Sequence, residues 1–163
     1  MQGVDVFMGR LNPDMFVVTA AAGGERAGCL VGFASQCSID PPRFAVWLSK
    51  ANRTFRVAER ADRLAVHLLT REQHALAALF GGRTGDEGVD KFAEVRCTSR
   101  AGGAVVLDDA AAWFVGRIVT RADGGDHVAF LLDPVESGAR DDGGGPLLRL
   151  ADTLGIEAGH PAD

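Results

Sequence analysis

The sequence predicts a mainly β protein in which short antiparallel strands form a small closed barrel with two short helices packed at its ends. Six short segments are rich in β-branched and aromatic residues and are bounded by Gly, Pro or Asp, as strands are. Only two segments show helical spacing of apolar residues, and no long β-α-β repeat is present. Closure of the sheet into a barrel would remove its exposed edges.

The predicted strands follow one another along the chain with short turns between them. They cover residues 15–19, 27–35, 43–49, 64–69, 111–120 and 127–135. The Gly-rich segments 21–26 and 121–126 predict tight hairpins, and the second has Asp-Gly-Gly at its tip. Neighbouring strands are therefore expected to run antiparallel.

Two helices are predicted between the strands. In segment 51–61, Ala51, Phe55 and Ala58 share one face. In segment 71–80, the residues at helical spacing are His74, Ala75, Leu76, Leu79 and Phe80. Thr70 and Gln73 have the form of a capping box, and Gly81-Gly82 is expected to stop the helix. The Gly-rich segments 81–90 and 138–145 are interpreted as polar loops.

Length and composition indicate one soluble domain. A chain of 163 residues can bury roughly 70% of its extended surface on folding. We expect a single domain over residues 1–163, with a core at about 12–150 and a partly helical or loose tail at 151–163. No apolar run approaches the ~20 residues that span a bilayer. The start of the chain does not resemble a secretory signal, so a cytoplasmic location is expected.

Charge and cysteine content argue against several classes of function. The formal net charge is −5, from 22 acidic and 17 basic residues without a basic tract, so a nucleic-acid partner is not expected. Cys29, Cys37 and Cys97 match neither a disulfide framework nor a zinc knuckle. They are interpreted as reduced and mostly buried residues, and no metal site is predicted.

Hydrogen-bonding and cationic side chains gather where the strand 43–49 ends. The Pro41-Pro42 pair fixes an extended entry into this strand, because proline cannot donate to a sheet ladder. Beyond it come the donors Ser49, Lys50, Asn52, Arg53 and Thr54. At the start of a helix such donors favour a phosphate site. In the alternative interpretation, Ser49 or Asn52 caps the helix and the two cations are solvated.

The segment around this cluster resembles the flavin reductase-like family. Residues 28–42 match a family pattern that ends in Ser-x-Asp-Pro-Pro, with Ser38, Asp40 and the proline pair in place. The later Ser49, Asn52 and Thr54 match the family's phosphate segment. The similarity continues through residues 64–82, Asp90-Lys91-Phe92, Gly125-Asp126-His127 and Pro146-Leu147-Leu148. It covers about residues 12 to 150, and ordered landmarks of this kind are far more specific than one short motif.

The resemblance implies an FMN-binding split barrel that reduces FMN or FAD with NADH or NADPH. It further implies a homodimer and a role as the small component that supplies reduced flavin to a separate monooxygenase. Such chemistry depends mainly on holding the flavin and the nicotinamide in contact, since the cofactors supply the redox centre. Two rival functions stay open: an enzyme that uses a deazaflavin or holds FMN permanently, and a non-catalytic flavin- or haem-binding module.

The family's functional positions map onto this chain as follows. The isoalloxazine would lie along Cys29, Leu30, Val31, Gly32 and Phe33, with the flavin-binding segment continuing through Ser35, Gln36, Cys37 and Ser38. Many family members carry a Thr and two small polar residues at positions 30, 32 and 33, so the contacts implied here are those of the backbone. The phosphate or pyrophosphate would take the donor cluster 49–54. Lys91 and Phe92 would close the site, and His127 would lie near the nicotinamide as the candidate catalytic residue.

Other conspicuous side chains are interpreted as structural. His67 and His74 lie among apolar residues without ligand-type neighbours, which favours packing roles over metal binding. Trp47 and Trp113 are expected in the core. Asp126-His127 suggests a hydrolytic triad, but no serine occupies a Gly-x-Ser-x-Gly elbow, which disfavours a hydrolase.

Overall fold

A computed structural model describes residues 2–82, 90–140 and 144–156. Its strands are β1 (Phe16–Ala22), β2 (Glu25–Val31), β3 (Ala34–Ser38), β4 (Arg43–Ser49), β5 (Arg63–Leu68), β6 (Cys97–Ser99), β7 (Val105–Leu107), β8 (Ala112–Asp123) and β9 (His127–Ala139). Its α-helices are α1 (Gln2–Gly9), α2 (Arg53–Ala58) and α3 (His74–Gly82). The mainly β, antiparallel fold class with short helices is confirmed.

Seven strands form one antiparallel sheet in the order β2-β1-β5-β8-β9-β4-β3. Its two edge strands, β2 and β3, are consecutive in the chain and are joined only by Gly32 and Phe33. Val31 and Ala34 are three Cα–Cα steps apart and so lie within about 11 Å of each other, which requires the sheet to curl until its edges meet there. The ladder itself stays open between β2 and β3, and the predicted strand 27–35 is two strands separated by this link.

Apolar residues form two main cores on the two sides of β1. Val18 belongs to the first core, with Val46, Leu64, Phe130 and the helix α2 residues Val57 and Ala58. Val17 faces the second core, which includes Leu69, Phe80, Leu107 and Leu148. Successive side chains of a strand point to opposite faces. Burial on both faces therefore makes β1 the central wall between the two cores.

The helices differ from prediction in length and in orientation. Helix α2 begins at Arg53 and ends at Ala58, within the predicted segment 51–61. Helix α3 begins at His74 after a 3₁₀ turn at Arg71–Gln73 and ends at Gly82, at the predicted Gly81-Gly82 stop. Its buried residues are Ala77, Leu79 and Phe80, whereas His74 and Ala75 are exposed. The prediction that His74 packs on the apolar face was wrong, because an α-helix turns about 100° per residue and so places His74 roughly 120–140° away from Leu79 and Phe80.

Local turn and cap signals are otherwise confirmed. Gln73 Oε1 accepts a hydrogen bond from the Thr70 backbone N–H at 3.0 Å. The hairpins β1–β2 and β8–β9 lie at the predicted turns. Strand β9 continues to Ala139, so residues 138–139 are not loop, and the short β6–β7 hairpin was not predicted. Of the predicted loop 81–90, residues 83–89 lie outside the described chain.

None of the three cysteines forms a disulfide, and they are not all buried. Cys29 is buried, Cys97 is half-buried and Cys37 is exposed on the edge strand β3. An edge strand has one side open to solvent, which explains the exposure of Cys37. No helix within the described residues is long and apolar enough to cross a membrane.

A buried histidine connects three strands. His67 on β5 is fully buried; its Nδ1 donates to the Val17 carbonyl oxygen at 2.9 Å, and its Nε2 accepts from the Leu107 N–H at 3.0 Å. The neutral imidazole satisfies both bonds. Burial lowers the pKa of His67 to about 4, against an opposing effect of the hydrogen bond to Val17. The expected packing role of His67 is confirmed.

This histidine is expected to make the fold sensitive to acid. In the unfolded chain His67 takes up a proton near pH 6.5, whereas in the folded protein it does so only near pH 4. Its contribution to stability is therefore complete above pH 6.5 and is lost as the pH falls toward 4, by about 2 kcal/mol at pH 5. Urea unfolding at pH 7.5 and pH 5 measures this loss. H67Q is the control, since glutamine does not titrate; equal pH dependence in both proteins would contradict the assignment.

Candidate functional site

A pocket of about 540 Å³ opens at the seam where the two edges of the sheet meet. Strands β2 and β4, the Gly32-Phe33 link, the start of β9, the end of α3 and the C-terminal segment all contribute to it. The lining residues are Met15, Cys29, Leu30, Val31, Gly32, Phe33, Trp47, Leu48, Ser49, Asn52, Gly81, Asp126, His127, Leu150, Thr153, Leu154 and Ile156. Its size and mostly apolar lining are typical of a small-molecule site.

One wall consists of the predicted segment Cys29 to Phe33. Cys29 and Val31 are buried, while Phe33 is largely exposed at the rim. A Cβ on Gly32 would lie 2.9 Å from the Met15 sulfur, so a larger residue there would require the Met15 side chain to shift. The structure thus brings all five predicted ring-contacting residues into one pocket.

Trp47 forms part of the pocket wall rather than of the core. It is half-buried on β4, and a Cβ on Gly124 would collide with its six-membered ring. The predicted core position of Trp47 was therefore wrong. Glycine at the β8–β9 turn lets the indole lie against the turn beside the pocket.

Trp113 is also only half-buried, and the Arg100 guanidinium lies 5.0 Å from its ring.

Ser49 and Asn52 form a polar end of the pocket. Both are buried, and Ser49 pairs with His127 across β4 and β9. Asn52 Oδ1 caps α2 by accepting from the Thr54 N–H at 2.9 Å, and Ser49 Oγ accepts from the Ala51 N–H at 3.3 Å. The capping alternative is thus confirmed for Asn52. Thr54 is buried within α2 and is not among the lining residues.

The two cations of the predicted donor cluster have internal partners. Lys50 Nζ donates to Asp123 Oδ2 at 2.8 Å, and this bond lowers the pKa of Asp123. Arg53 donates to the Arg26 carbonyl oxygen at 2.8 Å and pairs with Glu25 at 3.2 Å. Neither cation lines the pocket. The alternative interpretation, that both cations are simply solvated, was wrong, because each meets an acidic residue from a distant strand.

His127 lines the pocket and contacts the side chains of Asp126 and Phe33. Its Nδ1 is 2.6 Å from Asp126 Oδ1, and this hydrogen bond is the main reason that the pKa of Asp126 is lowered. The Phe33 ring lies against the imidazole, with centroids 4.9 Å apart and a 54° tilt. With the Nδ1 proton donated to Asp126, Nε2 is the nitrogen that remains for a ligand.

Besides Lys50, Arg53 and Thr54, six further predicted site residues lie outside the pocket lining. Ser35, Gln36, Cys37 and Ser38 occupy the edge strand β3, where a bulge interrupts the pairing with β4. Lys91 and Phe92, which are expected to close the site, do not line the pocket: both are buried, and the Phe92 ring packs edge-on against Phe80. Lys91 instead donates to two backbone carbonyls behind the pocket wall.

The C-terminal segment supplies lining that sequence reasoning missed. Residues Leu150–Thr153 form a 3₁₀ turn, and Leu150, Thr153, Leu154 and Ile156 line the pocket. The segment is anchored by main-chain hydrogen bonds from Leu150 to Pro13 and from Ala151 to the Asn12 side chain, both at 2.9 Å. In the sequence, the only sign of this role is the few apolar residues of the segment. Such residues do not distinguish a pocket wall from a loose tail.

The donor set suits a flat, mainly apolar ligand with a polar end. The lining offers aromatic and aliphatic surface from Phe33, Trp47 and Leu30, with hydrogen-bonding groups at Ser49, Asn52 and His127. Among the described residues, no group of three or more His, Cys, Asp and Glu side chains is placed to hold a metal ion.

Known proteins share both the sequence pattern and the fold. The model of the flavin reductase like domain matches residues 8–154. The chain is 33% identical over 141 residues to the NADH-dependent FMN reductase AsuE2 of Streptomyces nodosus subsp. asukaensis, covering 86% of this chain and 76% of that protein. It is 25% identical to the NADH:FAD oxidoreductase SgcE6 of Streptomyces globisporus C-1027, with a TM-score of 0.75 over 85% of this chain and 81% of the other.

The fold similarity extends along the whole chain in a second solved structure. A flavin reductase domain protein from Arthrobacter sp. FB24 superposes with a TM-score of 0.82 at 20% identity. The match covers 100% of this chain and 98% of that one. At this level of identity the comparison establishes the fold alone.

Proposed function

The chain belongs to the flavin reductase-like family, and from this we propose that it reduces FMN or FAD with NADH or NADPH in the seam pocket. The observation that carries the proposal is the convergence of the family's ring-binding segment, Cys29 to Phe33, with His127 in one pocket of suitable size. The relative AsuE2 is an NADH-dependent FMN reductase, which favours NADH and FMN as the working pair.

The residues of the pocket fit a flavin. The apolar wall of β2 and Trp47 would cover the ring system and exclude water from it, and backbone groups of the Gly32-Phe33 link would meet its polar edge. Ser49 and the Asn52 amide nitrogen would donate toward the ribityl end. A bound flavin supplies the redox centre, since it accepts a hydride from the nicotinamide.

The protein's own part is to position the two ligands. Asp126 accepts a hydrogen bond from His127 Nδ1, and this leaves Nε2 of the imidazole for a ligand in the pocket. Phe33, which contacts the imidazole and is largely exposed, provides apolar surface at the rim for a second ring. Alignment at contact distance, rather than acid catalysis by a side chain, is what such a transfer requires.

Steady-state oxidation of NADH and NADPH with added FMN, FAD or riboflavin tests this function. Oxidation that depends on added flavin supports it. A flavin or deazaflavin that co-purifies with the protein and stays bound during turnover would favour the rival permanent-cofactor enzyme. Flavin binding without NAD(P)H oxidation above background would favour the non-catalytic module.

We further propose that reduced flavin leaves the pocket for a separate monooxygenase component. The pocket reaches the surface beside Phe33 and Leu154, both of which are more than half exposed. An open rim of this kind suits a ligand that enters and leaves at each turnover. The proposal otherwise rests on the resemblance to the family.

The protein is expected to act as a homodimer. Helix α1 has no buried residue, and its Val4, Phe7 and Met8 share one face. Phe33 and Ile39 are also exposed, and apolar surface of this extent favours association. Light scattering should give about 34 kDa, twice the 17.1 kDa of one chain. A monomer with full activity would contradict this expectation.

Lys50 is predicted to bind the flavin phosphate by leaving Asp123. Their ion pair is exposed, so separating the partners costs little. K50A should weaken FMN binding by about 1 kcal/mol, or roughly fivefold in Kd, and should leave riboflavin, which has no phosphate, unaffected. R53A is the matched control. It should lower the stability of the fold, because it removes the contacts of Arg53 with Glu25 and the Arg26 carbonyl, and it should leave the Kd for FMN unchanged. Equal losses for FMN and riboflavin in K50A would refute the phosphate contact.

His127 is predicted to orient the nicotinamide or flavin through one hydrogen bond. H127A should raise the KM for NADH or lower kcat by an amount equivalent to about 1–2 kcal/mol. H127N should keep much of the rate, because its amide preserves a donor. Both variants are measured at saturating flavin. Wild-type parameters in H127A would assign the residue to the turn instead of the site.

A further inference from the structure

A buried ammonium group lies directly behind the pocket wall. Lys91 begins the 3₁₀ turn Lys91–Glu94 and is only 7% exposed. Its Nζ donates to the carbonyl oxygens of Gly28 and Phe80, both at 3.0 Å. The same Nζ lies 5.5 Å from the centre of the Phe80 ring. A long side chain with several donors can hold two carbonyl groups from separate elements at once.

The two carbonyls belong to residues that immediately precede pocket residues. Gly28 is followed by Cys29 on β2, and Phe80 is followed by Gly81 on α3; Cys29 and Gly81 both line the pocket. A peptide unit is planar, so holding its carbonyl oxygen also sets the direction of the next residue's backbone nitrogen. Lys91 therefore controls the orientation of two peptide units that lead into the wall.

Close packing between β2 and α3 makes this tie sensitive. A Cβ on Gly28 would lie 2.7 Å from the Phe80 ring, and one on Gly81 would lie 3.0 Å from Leu30 Cδ2. With no spare room between these elements, a change in their separation must move Leu30, which is itself a lining residue. Burying an ammonium group costs desolvation free energy that an apolar side chain would not incur. The buried ammonium group is therefore better explained by the two carbonyl groups that it holds in place.

We propose that Lys91 is a positioning residue that fixes the β2–α3 wall against which the flavin binds. It acts through the backbone and does not touch the ligand, in contrast to the role that the family resemblance implies. The inference rests on the proposed flavin reductase function for its kinetic consequence. Its structural part, the control of residues 28–33 and 79–82, does not depend on that function.

K91M tests the proposal, because methionine keeps an unbranched apolar chain and removes every donor. The KM and Kd for FMN should rise about tenfold, while kcat at saturating FMN stays within about twofold. A purely structural role would instead reduce the amount of folded enzyme, which lowers the apparent kcat and leaves KM unchanged. H67Q is the control, as it replaces another buried, hydrogen-bonded side chain that lies away from the pocket. If K91M does not fold, K91Q replaces it as the test variant, because its side-chain amide group can still donate. Its KM and Kd for FMN should lie between those of the wild type and the values expected for K91M.

Hydrogen exchange separates failure of this inference from failure of the proposed function. In K91M, the amides of residues 28–33 and 79–82 should exchange faster than in the wild type and in H67Q. Unchanged exchange, or a wild-type KM for FMN in K91M, would overturn the positioning role. A wild-type protein that reduces no flavin, together with faster exchange in K91M, would overturn the proposed function and leave the positioning role standing.

Discussion

The two-residue connection between the edge strands is the constraint on which the rest of the structure depends. Gly32 and Phe33 join β2 to β3, although these strands lie at opposite ends of a seven-stranded sheet. The sheet can satisfy this connection only by curling, and curling brings β2 face to face with β4. The pocket lies at that seam. Because an open seam leaves side chains of two strands without a paired neighbour, it offers apolar surface to a ligand.

Electrostatics around the pocket is set by partners from distant parts of the chain. Lys50 meets Asp123 at the end of β8, and Arg53 meets Glu25 at the start of β2. An anionic ligand must therefore compete with a carboxylate for each cation. Separating Lys50 from Asp123 requires little free energy, because that ion pair is exposed. Separating Arg53 from its partners requires more, because Arg53 is less exposed and also donates to the Arg26 carbonyl oxygen. Lys50 is therefore the cation of this segment that an anionic ligand could more easily separate from its carboxylate partner.

Buried polar side chains connect the elements that the apolar cores only pack together. His67 joins β5 to β1 and β7 through one donated and one accepted hydrogen bond. Lys91 joins β2 to the end of α3. Dispersion and apolar burial are non-directional, so packing alone leaves small displacements unopposed. Hydrogen bonds to specific carbonyls are directional, and in Lys91 they fix a wall of the candidate site.

The sequence by itself determined the features that depend on neighbours in the chain. Strand segments, both hairpins, the Gln73 cap and the Cys29–Phe33 wall with His127 could be predicted, because alternation, turn glycines and a family motif are local signals. Only the tertiary structure decided that Trp47 lines the pocket, that residues 150–156 close one side of it, and that Lys91 lies behind it. It also assigned Lys50 and Arg53 their acidic partners. Each of these depends on contacts between residues far apart in sequence, which arise only when the sheet curls and its edges meet.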